Sequence, residues 1–360
     1  MLAGKNLGQE RLPSVPVDLI RTVAIVGVIL LHASHDLTVE QMNFLEIFRW
    51  PTVDFYQSIG RIGIPLFIML TGALLLQPEK QNESLSVFFK KRWARIGLPF
   101  IFWGTAYFAW DFLVEHQAFT LSAIINGILN GPYYQFWYLY MLVGLYLLTP
   151  IMRIVVAQGG TYILKYFVIL WILGASIVPT IEFFFTYSLN SNVFEFTGYV
   201  GYFILGAYLL TVRMRRSTIS ILMTLGIALT VFATYMMAWY VGGSKTYYFH
   251  EYFSPTLILA STMTFLLLIT FLLPSHSNTG NSRLRGNKLL SLISQNTLPI
   301  YLFHPMVIYA LQRGFFGFAI NGNTINSIPG VPLMTVIVLF ICLGVIIVLK
   351  KVPVLRRLIG

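Results

Sequence analysis

The sequence predicts an all-α membrane protein, a bundle of about ten transmembrane helices with both termini on the cytoplasmic side. Two observations carry that reading. Hydrophobic residues make up 57% of the 360 and charged residues 10%, and the apolar residues gather in stretches long enough to cross a bilayer. A chain of this composition lacks the polar surface to cover a water-soluble globule. The third observation, the placement of Lys and Arg, sets the orientation.

A helix crossing the hydrocarbon core needs roughly 20 apolar residues. Such stretches fall at about 17–36, 58–77, 96–114, 135–155, 161–180, 197–212, 218–241, 254–273, 292–311 and 331–349. The first follows a polar stretch containing Pro13 and Pro16 and reads as a retained helix rather than a cleaved signal. The stretch at 161–180 contains Lys165, and that at 197–212 is short. The longest polar intervals, about 37–57, 78–95, 274–291 and 312–330, are too short for a soluble domain. One transmembrane domain over 1–360 follows, with 1–16 as a short cytoplasmic segment. No internal repeat is visible, unlike many carriers built from inverted repeats.

Net charge is +11. With the spans alternating from an inside N-terminus, twenty of the 24 Lys and Arg fall on the inner side, and only Arg49, Arg61, Lys245 and Arg313 fall outside. This bias supports an even number of spans and a multi-pass protein of the cell membrane. The basic surplus thus reports topology and contact with anionic lipid, and no nucleic-acid partner is expected. Cys342 is the only cysteine, which excludes a disulfide framework and a thiolate metal cluster; no metal is expected.

Ionisable groups inside a span are costly and are functional candidates by default. The first span carries Asp18, Arg21, His32 and His35. Eleven residues separate Arg21 from His32, which returns to nearly the same helix face after a rise of about 17 Å. A guanidinium that keeps its proton can hold an anion or a carbonyl dipole, and an imidazole can act as a base. The bland alternatives are a snorkelling arginine and hydrogen-bonded packing histidines. Asp18 and Asp111 read as the only acids within spans.

Further along, Phe89-Lys90-Lys91-Arg92-Trp93-Ala94-Arg95-Ile96 stands before the third span. It is a positive-inside anchor, and Arg92 and Arg95, at i and i+3, could also present two forks to a phosphorylated donor. Gly60-Arg61-Ile62-Gly63-Ile64-Pro65 opens the second span, where Pro65 frees a carbonyl near Arg61 and allows a small polar cavity. His304-Pro305 lies mid-span in the ninth, where the imidazole either faces the bundle interior or bonds the carbonyls that the proline frees. Aromatic outer segments, including Trp137, read as an interfacial belt or a sugar-stacking platform. A phosphate-binding loop, a His-Glu-x-x-His zinc helix and a Gly-x-Ser-x-Gly elbow are all missing.

The Asp18-Leu19-Ile20-Arg21 start with His32 eleven residues after Arg21 resembles the first helix of the acyltransferase family 3 membrane proteins. RIGIPLFIMLTG at 61–72, FFKKRWARIGLP at 88–99, FWYLYMLVGLYLLTPIM at 136–152 and LPIYLFHPMVI at 298–308 resemble later segments of that family. The resemblance is nearest to the subgroup that O-acetylates surface polysaccharide such as enterobacterial common antigen. It implies an O-acetyltransferase that takes an acyl group, usually acetyl, from cytoplasmic acetyl-CoA or another acyl-CoA to hydroxyls of extracytoplasmic or lipid-linked glycans. Carried onto this sequence, it implies His32 and Arg21 as the catalytic pair and Arg92 and Arg95 as donor contacts. Asp18, His35, Arg61, Trp137 and His304 are candidates for acceptor binding or support. Thr71-Gly72-Ala73 departs from the Ser-Gly-aromatic pattern of many relatives and bears on the acceptor. The rival reading is a transporter or flippase for a glycan or lipid-linked sugar.

Overall fold

The computed structural model describes residues 16–35, 49–118, 120–185, 198–271, 287–321 and 324–360. Helix accounts for 83% of it, and no strand occurs among the described residues. Seven stretches are long and apolar enough to cross a membrane: Val17–Ser34, Trp50–Leu75, Leu85–Leu113, Tyr134–Phe185, Arg216–Tyr240, Lys245–Thr270 and Ser327–Leu349. The molecule is an all-helical, multi-pass membrane protein.

Helix α1 (Val17–His35) is the centre of the bundle. It packs against α2 (Arg49–Gly60), α3 (Gly63–Leu75), α12 (Lys288–Gln295), α13 (Thr297–Gln312) and α14 (Ser327–Leu349). Its apolar residues run round the helix, as a helix surrounded by others requires, and Ile20, Ala24, Ile25, Val28 and Ile29 are fully buried. Close approach comes from glycine. A Cβ added to Gly63 would sit 2.5 Å from the Ala24 carbonyl oxygen, and one added to Gly60 would sit 2.7 Å from the Leu31 nitrogen. Small residues let backbones meet where no hydrophobic force between helices is available in lipid.

The third crossing is α4 (Leu85–Arg92), a π-helical turn at Trp93–Gly97, and α5 (Leu98–Leu113). The Ser84 hydroxyl accepts from the Val87 N–H and sets its start. An amphipathic helix, α6 (Leu121–Asn130), follows, and its start is capped by Thr120. The stretch Tyr134–Phe185 is 52 residues long, about 78 Å as a continuous helix and more than twice the hydrocarbon core. Within α7 (Trp137–Ile172), Gly160 adopts φ 55°, ψ −156°, a conformation that breaks the helix and that glycine takes without strain. The break falls where the sequence separates a span ending near 155 from one starting near 161. Helix α8 (Val178–Phe185) completes the second half.

The remaining helices are α9 (Val200–Leu209), α10 (Arg216–Tyr240), α11 (Pro255–Phe271) and a terminal α15 (Pro353–Leu358). Eight of the ten residues of α9 are buried, so this short helix lies inside the bundle rather than against lipid.

One expectation is overturned. The polar interval expected at 37–57 contains α2, which carries Asp54 at 3% exposure into the stretch Trp50–Leu75. Glu182, in α8, also lies within a candidate span. Asp18 and Asp111 are therefore not the only in-span acids. Asp54 is accommodated because His250 and Ser58 meet it inside the bundle, which a hydropathy pattern cannot register.

Candidate active site

Pro305 has no N–H, so the carbonyl of Tyr301, four residues earlier, loses its helical donor. His304 fills that gap: its Nδ1 lies 2.7 Å from the Tyr301 oxygen. A carbonyl only accepts, so Nδ1 of His304 carries the proton, and the neutral ring presents its Nε2 as an acceptor. His32 Nδ1 stands 2.7 Å from that Nε2 and must be the donor. The two rings are 16° from parallel with centroids 4.9 Å apart, the separation of rings meeting end to end through that contact. The proton positions follow from the acceptors. The chain Tyr301 carbonyl, His304, His32 therefore puts the basic lone pair of His32 on Nε2.

His304 is fully buried and His32 half-buried, with the Tyr134 ring edge-on to His32 at 5.0 Å. The surrounding backbone is fastened from two sides. The Tyr107 hydroxyl donates to the Leu302 carbonyl at 2.8 Å, and Gln135 Nε2 donates to the same oxygen at 3.2 Å. In return the Tyr301 hydroxyl donates to the Gln135 carbonyl at 2.9 Å. The start of α7 and the middle of α13 are thus tied where His304 sits.

A cavity of about 640 Å³ adjoins this group: Tyr301 and Tyr138 line it, whereas His32 and His304 do not. Its cations are Arg21 of α1, Lys80, Arg92, Arg95, Arg356 and Arg357, and no Asp or Glu lines it among the described residues. Arg92 lies over the Phe88 and Tyr146 rings, at 5.2 and 5.5 Å from their centroids. The π-helical turn then carries Arg95 to the same cavity. That turn closes because Gly97 has no side chain: a Cβ there would sit 2.6 Å from the Trp93 ring. Lys90 and Lys91 of the same basic run do not line the cavity.

Glu83, whose charge acts on Lys80, is bound by two further cations. Glu83 receives Lys91 Nζ at 2.8 Å and two nitrogens of the buried Arg153 at 3.1 Å, and Arg153 Nε also donates to the Leu75 carbonyl at 2.8 Å. The hydrogen bond from Lys91, with that from Arg153, holds the Glu83 carboxyl below the usual carboxylate range. Lys80 donates to the Leu74 carbonyl; burial, with the charges of Arg153 and Arg92, lowers its ammonium from the ordinary lysine value.

Of the other sequence candidates, Asp18 is exposed one turn before Arg21, and its charge acts on that guanidinium. His35 ends α1, and its side chain lies outside the described residues. Arg61 and Trp137 belong to an aromatic group that adjoins the cavity through Tyr138, 6.2 Å from Trp137: Arg61 stands 6.0 Å from the Tyr252 ring, and Trp137 packs on Tyr199 and Tyr252 at 5.5 and 6.0 Å. Near Arg61, His250 Nε2 meets Asp54 Oδ1 at 2.8 Å and the Ser58 hydroxyl at 3.2 Å. Sequence reasoning did not single out Asp54, His250, Lys80, Arg356, Arg357 or Tyr301. The signal for Tyr301 was present, since a proline at 305 marks the carbonyl at 301.

The acyltransferase domain family model matches residues 16–348. No curated protein and no solved structure is significantly similar to the chain.

Proposed function

This chain belongs to the acyltransferase family, and we propose that it moves an acyl group, acetyl in the simplest case, from cytoplasmic acyl-CoA to a hydroxyl of a surface or lipid-linked polysaccharide. It is a membrane acyltransferase; the donor, the acceptor and the residue roles are our reading. The acceptor class follows the resemblance to the surface-polysaccharide subgroup. The topology is ten crossings with both termini cytoplasmic, in the cell membrane. That count takes the two halves around Gly160 and the helices α9 and α13 as separate crossings, and the distribution of Lys and Arg favours the orientation.

The observation that carries the proposal is that Tyr301 belongs to two things at once. Its side chain helps to wall a cavity with six cations, and its carbonyl starts the relay that leaves a base on His32 Nε2. The donor enters thioester first, with its phosphates held by Arg92 and Arg95. Arg21 lies about 17 Å below His32 along α1, too far to serve the same oxyanion, and holds the polar arm of the donor. His32 Nε2 removes the hydroxyl proton as the sugar oxygen attacks the thioester carbonyl. The carbon–sulfur bond breaks, and the leaving thiolate takes the proton from the imidazolium, giving an ester and free CoA. General-base assistance of this kind contributes typically 10²–10⁴-fold.

The test is release of CoA from acetyl-CoA by purified, reconstituted protein with a surface-glycan extract. Wild type should release CoA, and a monodisperse His32→Ala variant should fall to background. Equal release by His32→Ala would remove His32 from the chemistry.

A further inference from the structure

The last segment of the chain contributes to the donor cavity in a way the family match, which ends at residue 348, does not address. Arg356 and Arg357 lie on α15 and line the cavity. The helix is fastened at its far end. Ile359 is fully buried, and its carbonyl accepts from Trp103 Nε1 at 3.3 Å. Gly360 lies close to α5 and α13: a Cβ there would sit 3.2 Å from Pro99 and 3.4 Å from Leu298. The short helix that carries the two guanidinium groups is thereby docked against α5 and α13.

The cations of the cavity are graded in depth. Arg356, Arg357 and Arg95 are exposed, whereas Arg21, Arg92 and Lys80 are half-buried. Six positive groups converging without a lining acid repel one another, as Arg95 and Arg21 do, and such a site is relieved by a polyanion. An acyl-CoA carries its groups in a fixed order: acyl thioester, pantetheine arm, diphosphate, then the ribose 3′-phosphate. With the thioester drawn toward His32, the last phosphate comes to rest at the mouth.

We propose that Arg356 and Arg357 form the subsite for the 3′-phosphate of the acyl-CoA, leaving Arg92 and Arg95 to the diphosphate. This assignment rests on the acyl-CoA reading above. Arginine suits the task because its fork can pair two oxygens of one phosphate.

The experiment is equilibrium binding to the full-length protein in nanodiscs, with acetyl-CoA and 3′-dephospho-acetyl-CoA as probes and no acceptor. Wild type should bind acetyl-CoA roughly tenfold or more tightly than the dephospho form, the size of one charge-assisted contact. Arg356→Gln/Arg357→Gln should bring the two affinities within about twofold by weakening acetyl-CoA alone. Arg356→Lys/Arg357→Lys, which keeps the charge and the membrane-side bias, should retain most of the preference. An unchanged preference in the Gln variant, or equal weakening of both probes, overturns the subsite while the acyl-CoA reading stands. Failure of folded wild type to bind either probe overturns both.

Discussion

Replacing His304 with phenylalanine tests the relay at its centre. The substitution keeps a flat ring in a fully buried place but removes both of its hydrogen bonds. The Tyr301 carbonyl, already without a helical donor because of Pro305, loses its side-chain donor, which costs about 1–3 kcal/mol of stability. His32 Nδ1 loses the acceptor that selects its tautomer and that would stabilise the imidazolium formed as the hydroxyl proton is taken. A hydrogen bond to a charged group is worth about 1.5–3 kcal/mol, so turnover should fall about 10- to 150-fold. His304→Gln should fall less, because its amide can accept from His32 and donate to the Tyr301 carbonyl. The assay is thiol release from acetyl-CoA, with melting temperature followed in parallel. In the double variant His32→Ala/His304→Phe the losses should not add, since the second residue acts through the first. A folded His304→Phe enzyme within twofold of wild type, or a Gln variant no better than Phe, would refute the relay.

Gly63→Ala places a Cβ 2.5 Å from the Ala24 carbonyl oxygen, so α1 and α3 must separate; about 1–3 kcal/mol of stability should be lost, seen as a lower melting temperature in detergent. Glu83→Gln removes the carboxylate that pairs with Lys91 and the buried Arg153, and should cost about 1.5–3 kcal/mol by the same measurement. The Glu83 carboxyl titrates below its unfolded value of ~4.3, so its contribution is complete above that pH and fades as pH falls through the lower folded value. The stabilising difference between wild type and Glu83→Gln should therefore shrink on acidification. Asp54→Leu removes a partner of His250, which is 1% exposed, and should cost about 1–3 kcal/mol, whereas Asp54→Asn, which keeps an acceptor, should cost less. Cys342 is fully buried, so maleimide labelling should be slow in the native protein and should rise in step with unfolding.

Seven candidate crossings were legible because a bilayer imposes length and apolarity on a segment whatever its neighbours do. The break at Gly160 fell where two adjacent apolar runs met, and α1 carried Arg21 and His32 on one continuous helix as their spacing required. Legibility failed where polarity is satisfied internally. The segment holding Asp54 and Gln57 looks like a loop by composition, yet it is helical and both side chains are buried, with His250 supplied from a position nearly two hundred residues away. Arg153 and Glu83 show the same limit: one reads as an inner anchor and the other as a loop acid until Arg153 is found buried with its guanidinium on Glu83.

Arg356 and Arg357 mark a harder ambiguity. The positive-inside bias puts cations at the same end of the spans that a cytoplasmic phosphate donor would use, so composition gives one pattern for two purposes. Our proposal of the second purpose leans on the hydrogen bond from Trp103 Nε1 to the Ile359 carbonyl, a contact between residues 256 apart. His304 is the opposite case. The sequence offered two readings of its side chain, a functional interior group or a partner for the carbonyl that proline exposes, and these exclude each other only if one nitrogen is considered. With Nδ1 satisfying Tyr301, Nε2 is obliged to accept from His32, so the bond to the carbonyl dictates the bond between the rings. A proline placed for reasons of helix geometry thus sets, four residues and two rings away, which nitrogen of His32 carries its proton.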